Sequence, residues 1–130
     1  MQLDLVSVIV YDYEAAIEFF TGVLGFDLAE DSPSLTNDGR PKRWVVVRPP
    51  GGGTGLLLAK ADGTEQVSAI GRQFAGRVGL FLRVDNFAHT LSRIRDAGLE
   101  VVGEPRHESY GDVVVFRDPF GNRWDLLSGR

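Results

Sequence analysis

Residues 10–26 read VYDYEAAIEFFTGVLGF, a stretch in which one kind of secondary structure gives way to another. Asp12 is a residue type that caps helix N-termini, and Gly25 is the type that follows helix C-termini. Between them, apolar side chains recur at the three- and four-residue spacing of an amphipathic helix. The Val- and Leu-rich residues before Asp12 favour a strand. The stretch therefore predicts a strand over 3–10 and a helix over 13–24.

A second copy of this pattern lies at 84–99, VDNFAHTLSRIRDAGL, where Asn86 corresponds to Asp12 and Gly98 to Gly25. Short β-rich segments follow each helix and are separated by polar or glycine-rich stretches. Such a repeated order indicates a duplicated structural unit. The predicted strands after the first helix are 26–29, 43–48 and 56–59, and those of the second copy are 77–84, 99–102, 112–117 and 123–127.

The chain is therefore predicted to be α+β, with two βαβββ repeats in a single domain spanning 1–130. Unit 1 covers about 1–62, a connector about 63–76 and unit 2 about 77–130. The polar stretches 30–42 and 103–111 are predicted to be loops. A four-stranded sheet that a helix covers on one face leaves its other face free to act as a cup for a ligand.

Composition restricts the classes of function. Net charge is −4 and Lys and Arg do not cluster, so we expect no nucleic-acid partner, and the acidic balance favours neutral or cationic ligands. Apolar runs are far shorter than the roughly 20 residues that span a bilayer, and the N-terminus does not resemble a secretory signal, so we expect no membrane association. The absence of cysteine fits a cytoplasmic location and leaves no thiolate ligand or nucleophile.

Three motifs carry a resemblance to a known family: YEAAIEFF at 13–20, LGF at 24–26 and DPFGN at 118–122. Together with the repeated order of elements, they resemble the vicinal oxygen chelate superfamily of glyoxalases, bleomycin-resistance proteins and extradiol dioxygenases. The resemblance covers essentially the whole chain. It implies two βαβββ units that form an incomplete barrel around a cup-shaped cavity, and a homodimer whose crevices hold the ligand.

The resemblance also implies where a divalent metal would bind, on the first and last strand of each unit. The corresponding positions here are Leu5, Leu56, Gly79 and Asp125, with Gly55 replacing Leu56 if the register slips by one. Leucine and glycine side chains offer no atom that can ligate a metal, and a single carboxylate makes a poor site. We therefore expect neither a metal nor another cofactor.

Asp125 then needs another explanation. Strand alternation places it on the face opposite Trp124 and Leu126, which we expect in the core, so Asp125 would point into the cup. A carboxylate there must bind a ligand or pair with an arginine, for which Arg43 and Arg117 are candidates. The other candidate ligand-binding residues are Trp44, Phe116, Tyr110 and His107, whereas His89 is expected to face solvent.

The residues, together with the dimer crevice that the resemblance implies, predict a protein that binds a small cationic or aromatic molecule in that crevice without a metal. The alternative is a glyoxalase-like lyase, isomerase or dioxygenase with an unusual ligand set, in which Asp125 acts with Glu104, His107 or Glu108. A metal-free acid–base mechanism through Tyr110 and Asp125 belongs to the same alternative. A regulatory domain with a vestigial cup is the third reading. Whether the protein is an enzyme stays open at this point.

Overall fold

The computed structural model describes residues 1–129 and divides into two compact units, Met1–Val67 and a second that begins at Ser68. Each unit has the predicted βαβββ order, so the α+β fold with two repeats is confirmed. Unit 1 contains β1 Leu5–Val10, α1 Tyr13–Ile17 with a π-helical continuation Glu18–Val23, β2 Asp27–Leu35, β3 Pro41–Arg48 and β4 Gly55–Lys60. A short helix, α2 Thr64–Ala69, follows β4. Unit 2 contains β5 Val78–Val84, α3 Phe87–Asp96, β6 Val101–Glu108, β7 Gly111–Arg117 and β8 Arg123–Ser128.

Unit 1 is a mixed sheet with strand order β1-β4-β3-β2, in which β1 and β4 are parallel. Asp12 caps α1 as predicted, because its side chain accepts a hydrogen bond from the backbone N–H of Ala15 at 2.9 Å. The predicted helix over 13–24 changes to a π-helical turn after Ile17. At that point the hydroxyl of Thr21 donates to the carbonyl of Ile17 at 2.7 Å, and such back-bonding by threonine perturbs helices.

Unit 2 repeats the arrangement with strand order β5-β8-β7-β6. Asn86 caps α3 as predicted by accepting a hydrogen bond from the N–H of His89, and the His89 side chain is exposed as expected. Leu91 and Ile94 are the buried residues of α3. Trp124, which is 2 % exposed, lies in the core as predicted.

Both predicted loops are wrong, because most of their residues belong to strands. β2 continues through Glu30 to Leu35 and pairs with β3 from Asp27↔Arg48 to Leu35↔Pro41. β6 likewise continues to Glu108. Both strands form sheet edges with mostly exposed side chains, so their pairing leaves little apolar periodicity in the sequence. The predicted connector, 63–76, contains α2, and the division between the units falls within that helix.

The turn before β8 is organised by Asp118, which is only 4 % exposed. Its carboxylate accepts hydrogen bonds from the backbone N–H groups of Phe120 and Asn122, from the Asn122 amide and from Nε1 of Trp124 at 2.9 Å. Burial raises the pKa of Asp118, and these four donors act in the opposite direction. The DPFGN motif is therefore a polar cluster that fixes the start of β8 to the core.

No helix within residues 1–129 is long and apolar enough to cross a membrane.

Candidate functional site

Unit 1 contains a cleft of about 620 Å³ between β3 and β4. The two strands make only the register pairs Val46↔Leu57 and Val47↔Leu56, although β3 begins at Pro41 and β4 ends at Lys60. The segments of β3 and β4 that do not pair with each other both line the cavity. The cleft therefore opens where the ladder between these strands stops, and its volume lies in the range of small-molecule sites.

Two aromatic side chains line this cleft. Trp44 is 37 % exposed on β3. Tyr13, at the start of α1, donates its hydroxyl to the carbonyl of Arg43 and accepts from the N–H of Arg43, both at 3.3 Å. Tyr13 thus satisfies backbone groups of β3 beyond the point where the ladder with β4 ends. The half-exposed indole of Trp44 lies beside the opening between β3 and β4, and a planar ligand can stack on such an indole.

One end of the cleft is bridged by an ion-pair cluster around Arg40. The guanidinium donates to both carboxylate oxygens of Asp62, at 3.1 and 2.6 Å, and its Nε donates to Asp38 at 3.0 Å. Thr36 also donates to Asp38, and the pKa of Asp38 is lowered by this bond and then by Arg40. Arg40 likewise lowers the pKa of Asp62. The carboxylates of this cluster are therefore ionised and engaged.

Asp125 is half-buried on β8 in unit 2, in register with Phe81 on one side and Val115 on the other. It lies on the sheet face opposite Trp124, as predicted. Within residues 1–129 its carboxylate makes neither a hydrogen bond nor a close ion pair. Burial raises the pKa of Asp125, and the positive charge of Arg106 opposes that shift. The cation that acts on Asp125 is thus Arg106; Arg43 and Arg117 pair with other carboxylates.

Replacing Arg106 by glutamine is expected to raise the pKa of Asp125 further, because the opposing charge is lost while the burial stays. A raised pKa means that the folded state binds the Asp125 proton more tightly than the unfolded chain does. The free energy of unfolding should therefore decline as pH rises through the pKa of Asp125 in the folded state, and the decline should be larger in the Arg106→Gln variant than in the unsubstituted protein. Carboxyl-detected NMR titration of both proteins measures the shift. The matched control is Arg95→Gln on exposed α3; equal Asp125 titration in all three proteins would contradict the assignment.

His107 and Tyr110 lie away from Asp125. His107 lies near the end of β6 with its ring exposed, and its Nδ1 contacts the carboxylate of Asp112 at 2.5 Å. Tyr110 is in the turn between β6 and β7, five residues before Val115, the register partner of Asp125, or roughly 17 Å along an extended strand. The acid–base pair of Tyr110 and Asp125 is therefore not brought together in unit 2.

Phe116 packs in the core of unit 2 instead of facing a ligand. Its side chain is fully buried and stacks on Trp124, with ring centroids 5.7 Å apart. The register pair Phe116↔Trp124 places both rings on the same sheet face, opposite Asp125. Counting residues along β7 alone could not decide which of its two faces is covered by α3.

The positions where the family resemblance would place metal ligands do not fit a metal. Leu5, Leu56 and Gly79 carry no donor atom, and no group of three His, Asp or Glu side chains within residues 1–129 is arranged to hold an ion. At Gly79 the reason is also steric, because a Cβ atom there would overlap the ring of Phe74. The set of Asp125 with Glu104, His107 or Glu108 is likewise not assembled.

Of the ligand-binding residues predicted from the sequence, Trp44 alone lines the cleft. Tyr13 and Arg40 read as an ordinary first-turn helix residue and a loop cation. Their roles depend on where the pairing between β3 and β4 ends, and no local pattern in either strand encodes that point. The lone aromatic side chain on β3, Trp44, was the one available signal.

The chain thus belongs to the class of small α+β proteins built from two βαβββ units, each with a four-stranded mixed sheet. The chain belongs to the glyoxalase/bleomycin resistance protein/dioxygenase superfamily, whose family model matches residues 2–126. This confirms the resemblance drawn from the sequence motifs.

Three proteins are similar to this chain over nearly its whole length. A protein of Shewanella frigidimarina (strain NCIMB 400) is 46% identical over 123 residues, covering 94% of this chain and 89% of its own. The crystal structure of TnmS3, an antibiotic binding protein from Streptomyces sp. CB03234, is 31% identical with a TM-score of 0.75, covering 100% of this chain and 97% of its own. A glyoxalase/bleomycin resistance protein from the same Streptomyces strain is 32% identical with a TM-score of 0.69, covering 95% and 97%.

Proposed function

We propose that this protein binds a small aromatic organic molecule reversibly, without a metal ion, and that the cleft around Trp44 forms the site. The observation that carries the proposal is the cavity itself, about 620 Å³ in volume and lined by the half-exposed indole of Trp44. Binding by shape and stacking needs such a cavity and no reactive group.

Two further points support the proposal. TnmS3, which is 31% identical over the full length of this chain, is described as an antibiotic binding protein. The side chains at the positions expected for metal ligands offer a single carboxylate, Asp125. Capture of a ligand therefore fits the residues better than Lewis-acid catalysis at those positions. Asp125 stays a predicted ligand contact, and the homodimer with its crevice stays a prediction that sedimentation velocity can check.

Replacing Trp44 by leucine is expected to weaken ligand binding about tenfold or more, because stacking and part of the apolar contact area are lost. A library of aromatic compounds, antibiotic scaffolds included, would be screened by ¹H–¹⁵N NMR of the two tryptophan indoles. Ligands should shift the signal of Trp44 and leave that of buried Trp124 nearly unchanged. Calorimetry on the best compound then gives the dissociation constant for each variant.

The matched control is Phe81→Leu, which removes another exposed aromatic ring, on β5 of unit 2. It should leave affinity unchanged, and so should a strong chelator. A ligand whose affinity survives Trp44→Leu would place the site elsewhere. Binding abolished by the chelator would contradict the metal-free part of the proposal.

A further inference from the structure

The charged side chains of the cleft divide into those already paired and those free to meet a ligand. Arg40 neutralises Asp38 and Asp62, whose oxygens all accept hydrogen bonds from it. Arg43 is held by Asp31 at 2.6 Å and by Glu14 at 2.5 Å. Each guanidinium thus serves two carboxylates, and none of these groups is free to bind a ligand without breaking an existing pair.

The remaining charged residues of the lining are Lys42 and Lys60. They are the only two lysines of the whole sequence, and both lie at this cleft. Within residues 1–129 neither ammonium group has a hydrogen bond or an ion pair. The net charge of −4 therefore does not describe the cleft, where both free charges are positive.

Lys42 lies on the same strand as Trp44, the residue on which a ligand would stack. Lys42 and Trp44 are two residues apart on β3, so their side chains project from the same face of the strand, roughly 7 Å apart. Lys60, at the end of β4, approaches from the other side of the cleft. A ligand stacked on the indole would thus have ammonium donors beside it, and an ammonium group donates hydrogen bonds but accepts none.

We propose that the cleft selects aromatic ligands that carry an anionic group, such as a carboxylate or a phenolate, with the ring on Trp44 and the anion between Lys42 and Lys60. This inference rests on the proposed function and specifies its ligand class. It reverses the expectation of a cationic ligand from the net charge. Asp125, the residue that would favour a cation, belongs to unit 2 and does not line the cleft.

Three isosteric probes test this charge preference: 2-naphthoate, the neutral 2-naphthamide and the cationic 2-naphthylmethylammonium. The anion should bind about tenfold more tightly than the amide, and more tightly still than the cation, with a preference that weakens as salt is added. Reductive ¹³C-methylation retains the charge of lysine and labels only Lys42, Lys60 and the N-terminus in this sequence. Naphthoate should shift both lysine signals.

The variant carrying Lys42→Gln and Lys60→Gln should bind naphthoate no better than naphthamide, with the amide affinity unchanged. The control variant carrying Arg77→Gln and Arg95→Gln loses the same charge from exposed positions in unit 2 and should retain the preference. If amide or cation binds at Trp44 as tightly as the anion, the inference is overturned while the proposed function stands. If none of the three probes shifts the Trp44 indole signal, both are overturned.

Discussion

Replacing Asp118 by alanine is expected to lower the free energy of unfolding by about 3 kcal/mol or more. The reason is the number of buried donors that depend on its carboxylate: the backbone N–H groups of Phe120 and Asn122, the Asn122 amide and the indole N–H of Trp124. Each buried donor left without a partner costs about 1–3 kcal/mol, and water entering the gap recovers part of that loss. Urea denaturation with far-UV circular dichroism measures the change.

Asp118→Asn separates the acceptor role from the charge. The amide retains one acceptor oxygen but presents its NH₂ group to donors, so an intermediate loss of stability is expected. The control is Asp96→Ala, an exposed position at the end of α3, which should change stability by no more than about 0.5 kcal/mol. A loss at Asp118 no larger than at Asp96 would show that the DPFGN turn does not stabilise unit 2 in this way.

The connector also packs against this turn. A Cβ atom at Gly71 would overlap the carbonyl oxygen of Phe120, and Gly71 has a φ of 74°, which side chains rarely adopt. Glycine at this position thus allows the backbone of the connector to approach the DPFGN turn. The DPFGN motif was predicted from the sequence to be a turn, but no sequence pattern indicated that Gly71 of the connector lies against it.

What could be predicted from the sequence was local. Asp12 and Asn86 were identified as helix caps because a cap contacts N–H groups only three residues away. The later parts of the edge strands β2 and β6, after Ala29 and Val102, were predicted to be loops because edge pairing does not require apolar alternation. The burial of Phe116 depends on which face α3 covers, and the cleft depends on where β3 and β4 separate; both are long-range properties of the folded chain.

Replacing Gly79 by alanine is expected to destabilise unit 2 by about 2 kcal/mol, because the added methyl group would overlap the ring of Phe74. The matched control is Gly22→Ala, where the nearest atom to the new Cβ is Cγ of Glu18 at 4.0 Å. That substitution lies in a helical segment and should be neutral or stabilising, since alanine loses less backbone entropy than glycine. Urea denaturation compares the two variants.

A double-mutant cycle with Phe74→Ala shows whether the ring is the cause. If it is, the variant with both Gly79→Ala and Phe74→Ala should be more stable than the sum of the two single losses predicts, by about 1 kcal/mol or more. Strict additivity would mean that the strain at position 79 has another origin. Phe74→Ala alone is expected to be destabilising, since it removes a packed aromatic ring.

The same ring explains why the metal-ligand position in unit 2 cannot be rebuilt by one substitution. A histidine at position 79 must occupy space that Phe74 fills, whereas Phe74→Ala removes the ring that a Cβ atom at position 79 would overlap. Neither Gly79→His alone nor the double variant with Gly79→His and Phe74→Ala should bind zinc stoichiometrically by elemental analysis, because Asp125 and one histidine still make only two ligands. Stoichiometric zinc in the protein with Gly79 and Phe74 intact would contradict a metal-free site. Stoichiometric zinc in the double variant would contradict the expectation that Asp125 and one histidine are too few ligands.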